Sequence, residues 1–238
     1  MKKSRVLLLM LFLAGAVYVV APLFYSDSQV SSVNWGLATT ILAVLIILAI
    51  FFEFESKALG SKEIALVAML GTISAVLRIP FVAIPSVQPC SYLIICSGYV
   101  FGPVAGFMVG ALTVLASNFF IGLHGPYTPY QILAWGLLGV VAGYLRRFKL
   151  GVPQLVLLGV SGAYLYGWIV NIWGWTAFIY PLTLESFIVY QLNSIWFDTF
   201  HAIGNAVFLG LFGVRTITIL ERFRKRFNWS LSPQAKNA

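Results

Sequence analysis

Apolar stretches close to twenty residues long recur along almost the whole chain, and the segments between them are too short to build a soluble domain. In hydrocarbon every backbone N–H and C=O must be satisfied within the protein, so segments of this length fold as spanning helices. Eight are expected, near residues 6–24, 36–52, 63–79, 87–100, 103–120, 130–145, 153–178 and 187–214. With 60% hydrophobic and only 9% charged residues, the chain reads as an all-α, polytopic membrane protein forming one helical bundle.

Charge placement fixes the orientation. With the N-terminus inside and eight spans, 14 of the 15 basic residues face the cytoplasm and only Arg78 faces out, the bias set by the positive-inside rule. Both termini are then cytoplasmic and the setting is the cell membrane. The net charge of +8 reflects this topology and contact with anionic lipid, so no nucleic-acid partner is implied. Residues 1–24 share features with a cleaved signal peptide. Their apolar run continues to Phe24 and a second span follows at once, so the first helix is expected to be retained. Cys90 and Cys96 lie in one expected helix without metal-site spacing. They read as packing residues, and neither a metal nor a cofactor is expected.

The charged segment 53–62, EFESKALGSK, divides the chain. Residues 1–60 hold two plain transmembrane helices, 61–220 a six-helix unit with nearly all the unusual residues, and 221–238 a basic tail. Small residues stand four apart at Gly98 and Gly102, Gly106 and Gly110, Gly139 and Gly143, and Gly71 and Ala75. Such spacing lets helix backbones approach closely in lipid. Either it serves packing within the bundle, or the span holding Ala65, Ala68, Gly71, Thr72 and Ala75 offers a smooth strip to a partner subunit.

Two spans carry polar stripes. Gln191, Ser194, Asp198, His201 and Asn205 follow one another in steps of three and four, which places them on one helix face. A carboxylate such as Asp198 costs at least ~2.5 kcal/mol if it faces lipid, so this face is expected to turn inward. Ser161, Tyr164, Trp168, Asn171 and Trp175 repeat the rhythm one span earlier. Between the fifth and sixth spans, the turn GLHGPYTP is crowded with glycine, proline and aromatic residues. Backbone of that kind is tolerated at a membrane face where it covers a water-accessible cavity. Asn118, Tyr127, Gln131 and Trp135 lie beside this turn, while Arg78 and Gln88 flank the other outer loop, RIPFVAIPSVQP. Together with Trp168, Asn171, Trp175, Ser194, Asp198 and His201 they form the expected substrate-binding set, a mostly apolar pocket with a few placed polar groups. Arg78 has two readings, as partner of Glu185 or Asp198 or as partner of an anionic ligand.

The blocks SKEIALVAMLGTISAVLRIPFVAIPSVQP, GYVFGPVAGFMVGALTVLASNFF and GPYTPYQILAWGLLGVVAG resemble the substrate-binding (S) components of energy-coupling factor (ECF) vitamin transporters, and look closest to the cobalamin-type branch. The similarity runs from Lys62 to Arg147, fades beyond, and does not cover residues 1–60. The resemblance implies a six-helix bundle with an outward-facing vitamin site, here preceded by two extra helices. It also implies a transmembrane coupling subunit driven by two ATPase subunits, and contact of Ala65, Ala68, Gly71 and Ala75 with the coupling subunit. No Walker motif occurs in the chain, so ATP hydrolysis is expected of other subunits. No catalytic residue is expected.

Two other readings stay open. Gly159-Val160-Ser161-Gly162 and the helix holding His201 resemble the serine and histidine segments of rhomboid intramembrane proteases, and a serine nucleophile needs such a base within hydrogen-bond reach. A membrane scaffold without a small ligand would need packing faces, but not two polar stripes.

Overall fold

The computed structural model describes residues 34–55 and 61–226. The span expected near 6–24, the charged segment from 56 to 60 and the tail beyond 226 lie outside the described residues. The described chain is all-helical: α1 (Trp35–Glu55), α2 (Ser61–Arg78), α3 (Cys90–Phe101), α4 (Pro103–Ile121), α5 (Thr128–Leu145), α6 (Val152–Phe178), α7 (Leu184–Asn193), α8 (Ile195–Phe208) and α9 (Val214–Arg226). A 3-10 turn follows α2, and a wide π turn at Leu209–Gly213 joins α8 to α9 in one run. Four helical runs are long and apolar enough to cross a membrane: Ser61–Phe81, Pro103–Ile121, Val152–Phe178 and Ile195–Arg226. Large apolar side chains such as Ile73, Leu157, Leu165, Ile203 and Leu211 stand exposed along their outer faces, the arrangement of a protein whose solvent is lipid.

The centre of the bundle is a junction of backbones. A Cβ on Gly98 would collide with the carbonyl oxygen of Gly139, and one on Gly106 would meet that same carbonyl and lie 2.7 Å from Gly98 Cα. Helices α3, α4 and α5 therefore touch main chain to main chain, as small residues allow in lipid. The four-residue glycine spacing serves internal packing here. Gly102, at φ 96°, occupies a region that side-chain-bearing residues avoid, and it turns α3 into α4 in a single residue. Pro103 then starts α4, where a missing N–H costs nothing.

Three expectations are corrected by the geometry. The last span does not run as one helix across 187–214: the chain turns at Ser194, and the apolar run that can cross a membrane begins at Ile195 and continues to Arg226. On α6 the polar stripe turns inward only in part: Ser161 and Trp168 are exposed, Tyr164 and Asn171 are half-buried and Trp175 is buried, while Gly159, Gly162, Gly167 and Gly174 are among the positions buried beside it. Those glycines admit Leu209, Leu138, Asp198 and Tyr190 respectively. On α2 the four small residues do not share a face. Ala65 and Ala68 are exposed, whereas Gly71 packs on Leu112 of α4 and Ala75 is buried.

Helix α1 is docked, despite its plain sequence. Thr39 is buried between α5 and α6, accepting a 2.6 Å hydrogen bond from the Tyr130 hydroxyl and lying 3.1 Å from Thr176 Oγ1. Gly36 lies directly against Ala177.

Candidate functional site

Successive helices place Arg78, Ser91, Asn118 and Gln131 at the same end of the bundle, opposite the basic residues Lys62, Arg146 and Arg147. Arg78, at the last turn of α2, is only 5% exposed. Its Nε donates to Gln88 Oε1 at 3.0 Å, and its Nη1 donates to Ser117 Oγ at 2.8 Å and to Asn118 Oδ1. Asn118 passes the chain on, donating through Nδ2 to Gln131 Oε1 at 2.7 Å. Of the two readings open for Arg78, pairing with Glu185 or Asp198 does not occur. Its hydrogen-bond partners are all neutral.

Below the guanidinium lies the fully buried Trp135, with its ring centroid 5.0 Å from Arg78 Cζ, within cation–π range. Trp135 Nε1 donates to Ser91 Oγ at 2.9 Å, and Ser91 Oγ stands 2.8 Å from His201 Nε2. Tyr166 completes an aromatic corner, 4.4 Å from the Trp135 ring centroid and 5.1 Å from that of His201 in an edge-on arrangement. Six helices thus contribute to one continuous set: Arg78 from α2, Ser91 from α3, Ser117 and Asn118 from α4, Gln131 and Trp135 from α5, Tyr166 from α6 and His201 from α8.

The remaining expected residues fall into other groups. Asn171 donates to Gln191 Oε1 at 2.8 Å and Ser194 Oγ at 2.7 Å, and Ser194 Oγ donates to Asp198 at 3.2 Å. This second cluster pins the turn between α7 and α8 to α6, with the Asp198 carboxylate seated over Gly167. Asp198 and His201 do not hydrogen-bond to each other; Asn205 binds the Gly159 carbonyl instead. Trp175 is buried against Leu182, Phe187 and Tyr190 and donates to Ser186 Oγ. Tyr127 bonds back to the Leu123 carbonyl and lies 5.3 Å from Trp173. Trp168 is half-exposed on the outer face of α6. Ser91, Ser117 and Tyr166 belong to the central set although the sequence did not single them out. Each is one modest polar group inside an apolar run.

The protease reading loses its geometry. Ser161 is exposed and its hydroxyl donates to the carbonyls of Leu157 and Leu158 in its own helix, while the partner of His201 is Ser91. Among the described residues no group of three or more His, Cys, Asp or Glu residues is placed to hold a metal ion.

A buried polar and aromatic set thus lies at one end of the helical bundle. The family model for the ECF transporter substrate-specific component matches residues 62–211, and the chain belongs to this family. Its members are transport subunits rather than enzymes. Searches of curated proteins and of solved structures return no match.

Proposed function

We propose that this chain is the high-affinity vitamin-binding subunit of an ECF-type ABC importer in the cell membrane. It captures a vitamin-like molecule from outside and presents it for uptake driven by a transmembrane coupling subunit and two ATPase subunits. The observation that carries this reading is the convergence of six helices on the Arg78–Asn118–Gln131 and Trp135–Ser91–His201 set. Interhelical glue needs only pairs, and this set is continuous and joined to an aromatic corner of tilted and edge-on rings completed by Tyr166. Family membership supports a bound substrate and a coupling module. The exposed strip of Ala65, Ala68 and Thr72 on α2 is the proposed meeting face for the coupling subunit, with Gly71 and Ala75 setting the position of α2 from behind. We assign the ligand to Arg78, Gln88, Asn118, Gln131, Trp135 and His201, with Asn171, Ser194 and Asp198 shaping the adjoining wall. The corrinoid expected from the cobalamin-type resemblance is one candidate ligand among planar vitamins and precursors.

The deciding experiment is mass spectrometry of small molecules released on denaturing gently purified protein. Near-stoichiometric recovery of one vitamin is expected, together with co-purification of a coupling subunit and ATPases. An empty protein that also retains no partner when expressed in its native membrane would count against the uptake role.

A further inference from the structure

Arg78 carries a charge where burial ordinarily demands a counter-charge. Three neutral acceptors, Gln88, Ser117 and Asn118, take the N–H groups of Nε and Nη1, and no described residue accepts from Nη2. No carboxylate among the described residues forms an ion pair with it. Asp198, the one buried acid among the residues whose burial is described, faces Ser194 and Gly167 instead. The cation is held rigid by its partners and rests on Trp135, beside Tyr166 and His201. A fixed, desolvated guanidinium whose Nη2 has no acceptor among the described residues is suited to an oxyanion.

We propose that Arg78 anchors a carboxylate on the transported molecule, and that the Trp135, Tyr166 and His201 rings border a planar, ring-bearing part of it. This assignment rests on the proposed uptake role and narrows its substrate class to ring-bearing carboxylic acids. Charge balance selects the carboxylate over a phosphate. A monoanion neutralises the single guanidinium, whereas a dianion would leave excess negative charge with no second cation among the hydrogen-bonded neighbours.

The test is equilibrium binding to the purified full chain by titration calorimetry, using acids paired with their uncharged amides: nicotinate with nicotinamide, biotin with biotinamide, lipoate with lipoamide. Riboflavin and cyanocobalamin serve as ligands without net charge. One acid is expected to bind at least about tenfold tighter than its amide, a difference of ~1.4 kcal/mol. Arg78→Gln is expected to erase that preference, and Arg78→Lys to keep part of it. Should Arg78→Gln fail to fold, the acid-against-amide comparison on the unaltered chain decides alone. Equal affinity for acid and amide overturns the carboxylate assignment and leaves the uptake role standing. So does tight binding of riboflavin or cyanocobalamin that Arg78→Gln leaves unchanged. Silence from every probe overturns the assignment too, and an empty protein in the mass-spectrometric experiment would then remove the uptake role separately.

Discussion

Ser91 Oγ lies 2.8 Å from His201 Nε2 while accepting a 2.9 Å hydrogen bond from Trp135 Nε1. One hydroxyl therefore joins α3, α5 and α8 in the interior, where each partner has lost its water. Ser91→Ala strands the indole N–H and the imidazole nitrogen together. With about 1–3 kcal/mol for each unsatisfied buried group, a clear drop in the unfolding temperature in detergent is expected, with weaker loss for Ser91→Thr. An unchanged melting curve would mean the hydroxyl is not their shared partner.

Two of the three tryptophans expected to line the pocket, Trp135 and Trp168, are expected to part company. Trp135 is fully buried under Arg78, and Trp168 is half-exposed on the outer face of α6. Trp135→Phe is expected to weaken ligand binding by about tenfold, ~1.4 kcal/mol, because it removes the N–H that Ser91 accepts and the better cation–π face. Trp168→Phe is expected to leave affinity within about twofold, under ~0.5 kcal/mol. Isotherms for the two variants with the recovered vitamin make the comparison, and the reverse ranking would return the pocket to the Trp168 face.

Glycine to alanine exchanges are expected to separate close approach from turn geometry. A Cβ at Gly139 meets the Gly106 carbonyl group, so Gly139→Ala forces two backbones apart, an overpacking cost of typically 1–3 kcal/mol. Gly122 has φ 74° and nothing within 4 Å of its added Cβ, so only backbone strain opposes Gly122→Ala, about 1 kcal/mol. Thermal unfolding should rank Gly139→Ala as the more damaged protein. Equal midpoints would sink the three-helix junction.

Docking of α1 yields to a covalent check. A Cβ on Gly36 would stand 3.0 Å from Ala177 Cβ, closer than the roughly 3.5–4.5 Å that a disulfide spans, so the two helices need ease apart only slightly to admit one. Gly36→Cys combined with Ala177→Cys is expected to oxidise within one chain, seen as a loss of two thiols by intact mass. Cys90 and Cys96 are both buried and should stay unreactive. Failure to cross-link would place α1 elsewhere.

Helix positions were largely legible because a run of apolar residues in lipid leaves the backbone one choice. The glycines spaced four apart were legible for the same reason: in a membrane, small residues mark where helices meet. Arg78, Gln88, Asn118, Gln131 and Trp135 were picked out as polar or aromatic groups near two outer loops; hydrogen bonds join the first four, and the Trp135 ring lies against Arg78. The inward face of α6 was legible at Asn171 and Trp175 but not at Ser161 and Trp168, which draw attention by chemistry, whereas close approach there is set by Gly159, Gly162, Gly167 and Gly174. Ser91, Ser117, Tyr166 and Thr39 escaped notice since a lone hydroxyl in an apolar run has no periodicity to betray it. The turn at Ser194 could not be seen either. The residues around it keep a helical rhythm straight through the break.

The meeting of Gly98, Gly106 and Gly139 divides the molecule mechanically. Where main chains touch there are no side chains to change rotamer, so α3, α4 and α5 behave as a keel. The opposite wall is fastened by different means, with Asn171, Gln191, Ser194 and Asp198 gripping a break in the helix through exchangeable hydrogen bonds. Should a ligand enter and leave, that wall is the part expected to yield, and Arg78, rooted in a helix packed on the keel, is expected to stay in place.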